Sequence, residues 1–283
     1  MFWGVWPMPL KDDGTKILWT AVTRNSSSGR YVAISQGAYS AWSDNGQTWT
    51  RVDLPSNKNW MDVAWNGTVF CAIAYDGTGT VGHAATSTNG TSWTARTIST
   101  QGNWKAICVL GTKFIVIGQG VSKSMTSTDG TTWVEQTMTA GGWNDVCSNT
   151  AGTLLVAVNA STSDKCMTSP DGVTWTQRTM DREGNWQSVV HTGTNFIAIA
   201  SGTGAGNSTS SDGITWTARG LGSGSWGAVA ATTSYAFVVS PSDGGAKYSS
   251  DQGVTWTSNP ALFSNLFLNG IWTGSAFIVI DGS

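Results

Sequence analysis

The sequence predicts an all-β fold, a ring of small repeated sheets, and three observations predict it. The first is a phrase, Ser-x-Asp-Gly-x-Thr-Trp. It stands at residues 127–133, 169–175 and 210–216, in looser form at 44–49 and 87–93, and with one extra residue at 249–256. The second is its period: the closing tryptophans Trp49, Trp93, Trp133, Trp175, Trp216 and Trp256 follow one another by 40 to 44 residues. The third is composition. Only 11% of the 283 residues are charged, and Gly, Ser, Thr and Asn take the place of charge, as short strands and tight turns require. A period near forty with strand-type residues in every unit is the signature of a β-propeller.

Each unit reads as four strands. The first begins with Trp, as in Trp60-Met61-Asp62-Val63, Trp104-Lys105-Ala106-Ile107, Trp143-Asn144-Asp145-Val146, Trp186-Gln187-Ser188-Val189 and Trp226-Gly227-Ala228-Val229. Trp19-Thr20-Ala21-Val22 is an earlier copy, and Leu268-Asn269-Gly270-Ile271 is a degenerate later one. The second strand is an apolar run such as 69–74, 114–118, 154–158 or 196–200, the pattern of a strand covered on both faces. The third runs into the Asp-Gly turn. The fourth is the Thr-Trp-Thr segment, whose alternation suits an outer strand with one wet face.

Seven first-and-second-strand hairpins stand beside six Asp-Gly hairpins. The seventh unit starts near Leu268 and runs out at Ser283, while residues 1–10 are left over at the other end. We therefore expect one domain over 1–283, a seven-bladed propeller. Residues 1–10 would give the outer strand of the last blade (Trp3 to Met8), and 268–283 its inner strands. Closure of this kind removes exposed sheet edges. A count of the Asp-Gly hairpins alone gives the alternative, six blades.

Net charge is −2 and no basic run exists, which excludes counterion-driven nucleic-acid binding. Apolar runs are strand-sized, so no membrane insertion is expected. The opening Met1-Phe2-Trp3-Gly4-Val5-Trp6-Pro7 lacks the basic and apolar regions of a secretory signal, so the product is expected to be made in the cytoplasm. Cys71, Cys108, Cys147 and Cys166 are expected as buried free thiols, because equivalent positions in neighbouring blades are too far apart for a disulfide. No Cys-x-x-Cys spacing exists and neither His83 nor His191 has a ligand neighbour in sequence, so no metal or other cofactor is expected.

In the phrase, the Asp accepts backbone N–H groups across its own turn, the Gly takes a conformation other residues resist, and the Trp buries a large flat surface. The phrase resembles the Asp-box (BNR) repeat of sialidases and many other propellers, Ser-x-Asp-x-Gly-x-Thr-Trp. Residues 249–256 match it in full and most other copies are one residue shorter. The resemblance implies that Asp44, Asp129, Asp171, Asp212 and Asp251 are structural staples remote from any ligand. It also raises a sialidase, a family with three arginines on the substrate carboxylate, a Tyr–Glu pair and an Asp acid. Arg51, Arg96, Arg178 and Arg219 follow the repeated Trp on outer strands of different blades and cannot converge. The two glutamates are Glu135 and Glu183. Glycoside cleavage by another route needs two carboxylates roughly 5–10 Å apart; Asp62 and Asp145 share one repeated position near the axis, and solvated inner-strand carboxylates are the plainer reading. No catalytic residue and no enzyme is expected.

Two binding roles remain. Long polar connections lead into Trp60, Trp104, Trp143, Trp186 and Trp226, several behind an Asn such as Asn103 or Asn185. An exposed Trp there would stack a sugar ring and the Asn would hydrogen-bond it, giving a multivalent lectin or an interaction scaffold. Packing of these rings between blades is the competing reading. The repeat style, Gly-x-x-Phe-x-Ala-Ile-Ala strands with Ser-x-Asp-Gly-x-Thr-Trp-Thr-x-Arg hairpins, resembles propellers of bacteriophage tail and particle proteins. That resemblance implies a non-enzymatic virion protein, with other virion proteins and a cell-surface glycan as partners.

Overall fold

Every unit folds as a meander in which sequence neighbours pair antiparallel. The computed structural model describes residues 2–4, 8–75, 81–202, 206–240, 245–258, 267–272 and 276–281, without the side chains of 2–4, 267–272 and 276–281. Among the described residues there is no helix. The protein is an all-β propeller.

The second unit shows the plan. Thr50–Trp65 pairs with Phe70–Tyr75, that strand with Gly82–Ser87, and that one with Thr94–Ile98. The apolar second strands are buried along their length: Phe70, Cys71, Ala72, Ile73 and Ala74 are all 0% exposed. Thr50–Trp65, Val134–Ser148 and Thr176–His191 are long because each supplies the outer strand of one sheet and then the inner strand of the next. Inner strands lie side by side in chain order: Trp19–Arg24, Thr50–Trp65, Asn103–Leu110, Val134–Ser148, Thr176–His191, Ala228–Ala231 and Phe267–Trp272, the last also beside the first. Phe2–Gly4 pairs parallel to Ala276–Asp281, which pairs in turn with Phe267–Trp272. Trp6, part of the expected N-terminal strand, lies outside the described residues.

The hydrophobic core sits between sheets rather than inside any one. One cluster joins Cys71 and Ile73 of the second unit to Trp104, Phe114 and Met125 of the third. The next joins Ile115 and Ile117 to Trp143, Leu155 and Met167. A sheet that buries both faces this way cannot stand alone, so the repeat and the fold are one requirement.

The repeated turn explains its own sequence. Asp171 Oδ1 accepts the N–H of Val173 (2.8 Å) and of Thr174 (2.7 Å) and the Ser169 hydroxyl (3.1 Å), while Ser169 Oγ accepts the Gly172 N–H (2.9 Å). The Thr174 and Val173 N–H groups hold the Asp171 carboxyl below the usual carboxylate range. Asp129, Asp212 and Asp251 repeat the arrangement. Because this network curls the chain for three further residues, the outer strand begins one residue after the Trp, at Thr50, Thr94, Thr176 and Thr217, and the Trp closes the turn instead of opening the strand.

Asp44 is a correction. In the first unit the box carboxylate is replaced by the amide of Asn45, whose Oδ1 accepts Gln47 N–H (2.8 Å) and Thr48 N–H (2.9 Å). Asn89 does the same in the second unit. Asp44 points outward and pairs with Arg30 (2.7 Å), whose Nη1 reaches the Asn89 carbonyl (3.0 Å). The cysteines are a second correction. All four are free thiols, but only Cys71 and Cys166 are buried; Cys108 and Cys147 are half-buried on inner strands, with Cys147 on the wall of a central cavity. Burial still pushes both half-buried thiols up.

Candidate functional site

The residues expected to stack a sugar do not present a ring face. Trp60, Trp104, Trp143, Trp186 and Trp226 are 1%, 0%, 1%, 0% and 4% exposed. Three of their indole N–H groups pin the connection that leads into the strand: Trp60 donates to Ser56 O (3.1 Å), Trp143 to Thr139 O (2.7 Å) and Trp226 to Gly222 O (3.0 Å). A Gly two residues earlier lets the ring fold back over the chain. A Cβ on Gly102, Gly141, Gly184 or Gly224 would lie 2.6, 2.8, 3.0 or 2.8 Å from the following Trp. Asn185 accepts the Gln187 side-chain N–H (2.7 Å) and so serves local structure, while Asn103 stands opposite Gln119 in the backbone ladder.

The arginines stay apart as expected. Arg96, Arg178 and Arg219 each give their Nε–H to a threonine on the adjacent strand, Thr86 (2.9 Å), Thr168 (3.1 Å) and Thr209 (2.8 Å). Arg51 is held by Asp12 and the Leu10 carbonyl. His191 serves local structure: its Nδ1 accepts the Gly193 N–H (3.0 Å), its ring meets the Phe196 ring edge-on at 4.6 Å, and burial lowers its pKa. Among the described residues no three His, Cys, Asp or Glu side chains gather as a metal site.

The chemistry that does converge is central. Trp60 pairs with Ala74 but Asp62 with Ile73, which leaves Met61 as a bulge. The same step follows Trp19, Trp104, Trp143 and Trp186. A bulge re-aims the extra residue, and here Thr20, Met61, Lys105, Asn144 and Gln187 all turn onto one cavity of about 290 Å³. A second cavity of about 330 Å³ is lined by residues one step further along, among them Val22, Ile107, Val146 and Val189. Asp62, Asp145 and Ser188 line both.

Asp62 and Asp145 latch one inner strand to the next. Asp62 Oδ1 accepts the N–H of Val63 (2.8 Å) and Oδ2 that of Ile107 (2.9 Å). Asp145 Oδ1 accepts the N–H of Val146 (2.8 Å), and Oδ2 accepts both the Ser188 hydroxyl (2.7 Å) and the Val189 N–H (2.8 Å). Thr20 makes a related tie by donating to the Trp60 carbonyl (2.8 Å). Desolvation in the narrow cavity outweighs these bonds, pushing Asp62 up to about 7 and Asp145 up to about 6. The same desolvation lowers Lys105, against the pull of both carboxylates.

A pH dependence follows. A carboxyl whose folded pKa is raised binds its proton more tightly in the fold than in the unfolded chain, where an Asp titrates near ~3.9. The contribution of this pair to stability is therefore greatest below ~3.9, shrinks as pH rises, and is lost as pH passes through the folded values of about 6 for Asp145 and about 7 for Asp62. Thermal midpoints between pH 4 and 7 are expected to slope downward with pH, and the slope is expected to flatten in the Asp62→Asn, Asp145→Asn double variant. An unchanged slope would place the titration elsewhere.

The sequence and the fold were compared with known proteins. A family model described as the DUF6242 beta propeller domain matches residues 42–185. No curated protein matches the chain. Among solved structures the chain is similar to YCF48 from Cyanidioschyzon merolae, at 15% identity, over 97% of this chain and 95% of that one, with a TM-score of 0.74. YCF48 bound to D1 peptide is similar at 16% identity, over 94% and 90%, with a TM-score of 0.71. Virginiamycin B lyase from Staphylococcus aureus, with quinupristin, is similar at 9% identity, over 93% and 90%, with a TM-score of 0.70. At identities this low the likeness is one of fold.

Proposed function

The chain belongs to the DUF6242 beta-propeller family, and from that premise we propose that it is a non-enzymatic attachment scaffold, a virus-particle component that presents its loops to other particle proteins or to a host surface. The observation that carries the non-enzymatic part is the state of the central carboxylates. General acid or base work needs a carboxyl within reach of a substrate proton. Asp62 and Asp145 are fixed as strand latches by five N–H and O–H groups from their own and the adjacent inner strands, which leaves them able to accept a further hydrogen bond but not to swing toward a substrate proton. The repeated aspartates are likewise spent on their turns, and the rim arginines on their threonines.

The architecture we infer for this scaffold is seven blades closed by the two ends of the chain. The side-by-side run of seven inner strands, with Phe267–Trp272 beside Trp19–Arg24, supports that count over six. The pairing of Phe2–Gly4 with Ala276–Asp281 supports closure by the termini. The particle assignment is supported by the repeat style, the low charge and a composition rich in Ser and Thr. Mass spectrometry of gradient-purified particles from the culture that makes the chain is expected to find it at fixed stoichiometry with the known particle proteins. Particles without it would overturn the assignment. Turnover of an aryl sialoside is expected to be nil at any enzyme concentration.

A further inference from the structure

The central cavity contains an ammonium, Lys105, that neither the fold nor an attachment role uses. Lys105 comes from the inner strand that lies between those of Asp62 and Asp145, and all three side chains line the same cavity of about 290 Å³. Among the described residues Lys105 makes no direct hydrogen bond or close ion pair, although Asp62 and Asp145 attract it across the cavity. Its ammonium carries three donors, and an unpaired charge out of bulk water is costly. The carboxylates are partly spent. A carboxylate offers about four lone-pair sites; Asp62 uses two and Asp145 three. Each keeps acceptor capacity, and the Gln36 amide on the same wall has no side-chain partner among the described residues.

The sign pattern narrows the ligand. A simple anion would meet Lys105 but also two carboxylates. A simple cation would meet the carboxylates but also Lys105. A neutral polyol would leave the ammonium unpaired. A molecule with one charge of each sign gives every group a counter-charge. The volume lies at the small end of ligand pockets, which run from roughly 300 to 1,000 Å³, so the occupant is one small molecule. We propose that the central cavity binds a small zwitterion of the amino-acid class, its carboxylate on Lys105 and its ammonium toward Asp62 and Asp145. The Gln36 amide serves as an additional contact. This goes beyond an attachment role, which needs no ligand on the axis.

Isothermal titration calorimetry on the full chain tests this with the twenty standard amino acids, and with sodium acetate, methylammonium chloride and glucose as controls. We expect saturable binding of at least one amino acid and none of the three controls. Lys105→Met is expected to weaken that binding at least tenfold while unfolding at or above the wild-type thermal midpoint, since Lys105 ties nothing together. Gln36→Ala gives a second reading, a smaller loss in affinity in a chain whose backbone contacts are untouched. The proposal is overturned if no amino acid binds, if acetate, methylammonium or glucose binds as well as the best amino acid, or if both variants bind as the wild type does.

Discussion

Trp186→Ala is expected to cost about 4 kcal/mol of stability, the middle of the range for emptying a large aromatic site. The ring is 0% exposed and packs in one cluster with Val158, Met180 and Phe196, residues from two neighbouring sheets. Its Nε1–H donates to the Ser163 carbonyl (3.1 Å), and Arg182 lies over its face at 5.3 Å. The void has rigid strands on both sides and cannot collapse without pulling two sheets together, so little of the cost is recovered. Denaturant titration measures it as a fall in midpoint at constant slope. A loss under about 1 kcal/mol would mean that the ring is not packed as described, and would return it to the candidates for ligand stacking.

Gly172→Val is expected to cost about 3 kcal/mol, for two separable reasons. Gly172 has φ +74°, where a side chain costs roughly 1–2 kcal/mol. Its Cβ would also lie 2.3 Å from Ile115 Cδ1, in the second strand of the preceding sheet. The joint recurs along the chain: a Cβ on Gly90 would meet Val32 at 2.5 Å, on Gly130 Thr86 at 2.7 Å, on Gly213 Val156 at 2.8 Å and on Gly253 Ile197 at 2.8 Å. The Asp-Gly turn therefore docks flush on the sheet before it. Shortening the partner separates the two reasons. In Gly172→Val with Ile115→Ala the losses are expected to be less than additive, because the cavity made by one accepts the methyl groups of the other. Strict additivity would mean that the turn does not touch Ile115.

These two sites show what was legible in the sequence. Tertiary packing forces the period, so the repeated Trp and Gly announced the propeller directly. The Gly-x-Trp pairs at Gly102 and Trp104, Gly141 and Trp143, Gly184 and Trp186, and Gly224 and Trp226 were a signal against ligand stacking that the reading passed over; a Gly held under a ring marks packing. Asn45 was missed as the turn residue because Asp44 beside it has the expected chemistry, and only the hydrogen bonds separate the two. The central cavity was half legible. Asp62 and Asp145 were recognised at equivalent positions, but a bulge is a property of register between two strands. No spacing within one strand shows that Lys105 turns inward beside them.

Repeated residues hold sheet to sheet and Asp62 and Asp145 latch inner strands, while the Lys105 ammonium between them holds nothing together. Guanidinium denaturation of Trp186→Ala beside Lys105→Met, in one buffer, tests this division most directly. Lys105→Met is predicted to unfold at or above the wild-type midpoint, because burial already disfavours its charge, and Trp186→Ala far below it. The reverse order, with Lys105→Met the unstable chain and Trp186→Ala near wild type, would contradict the division.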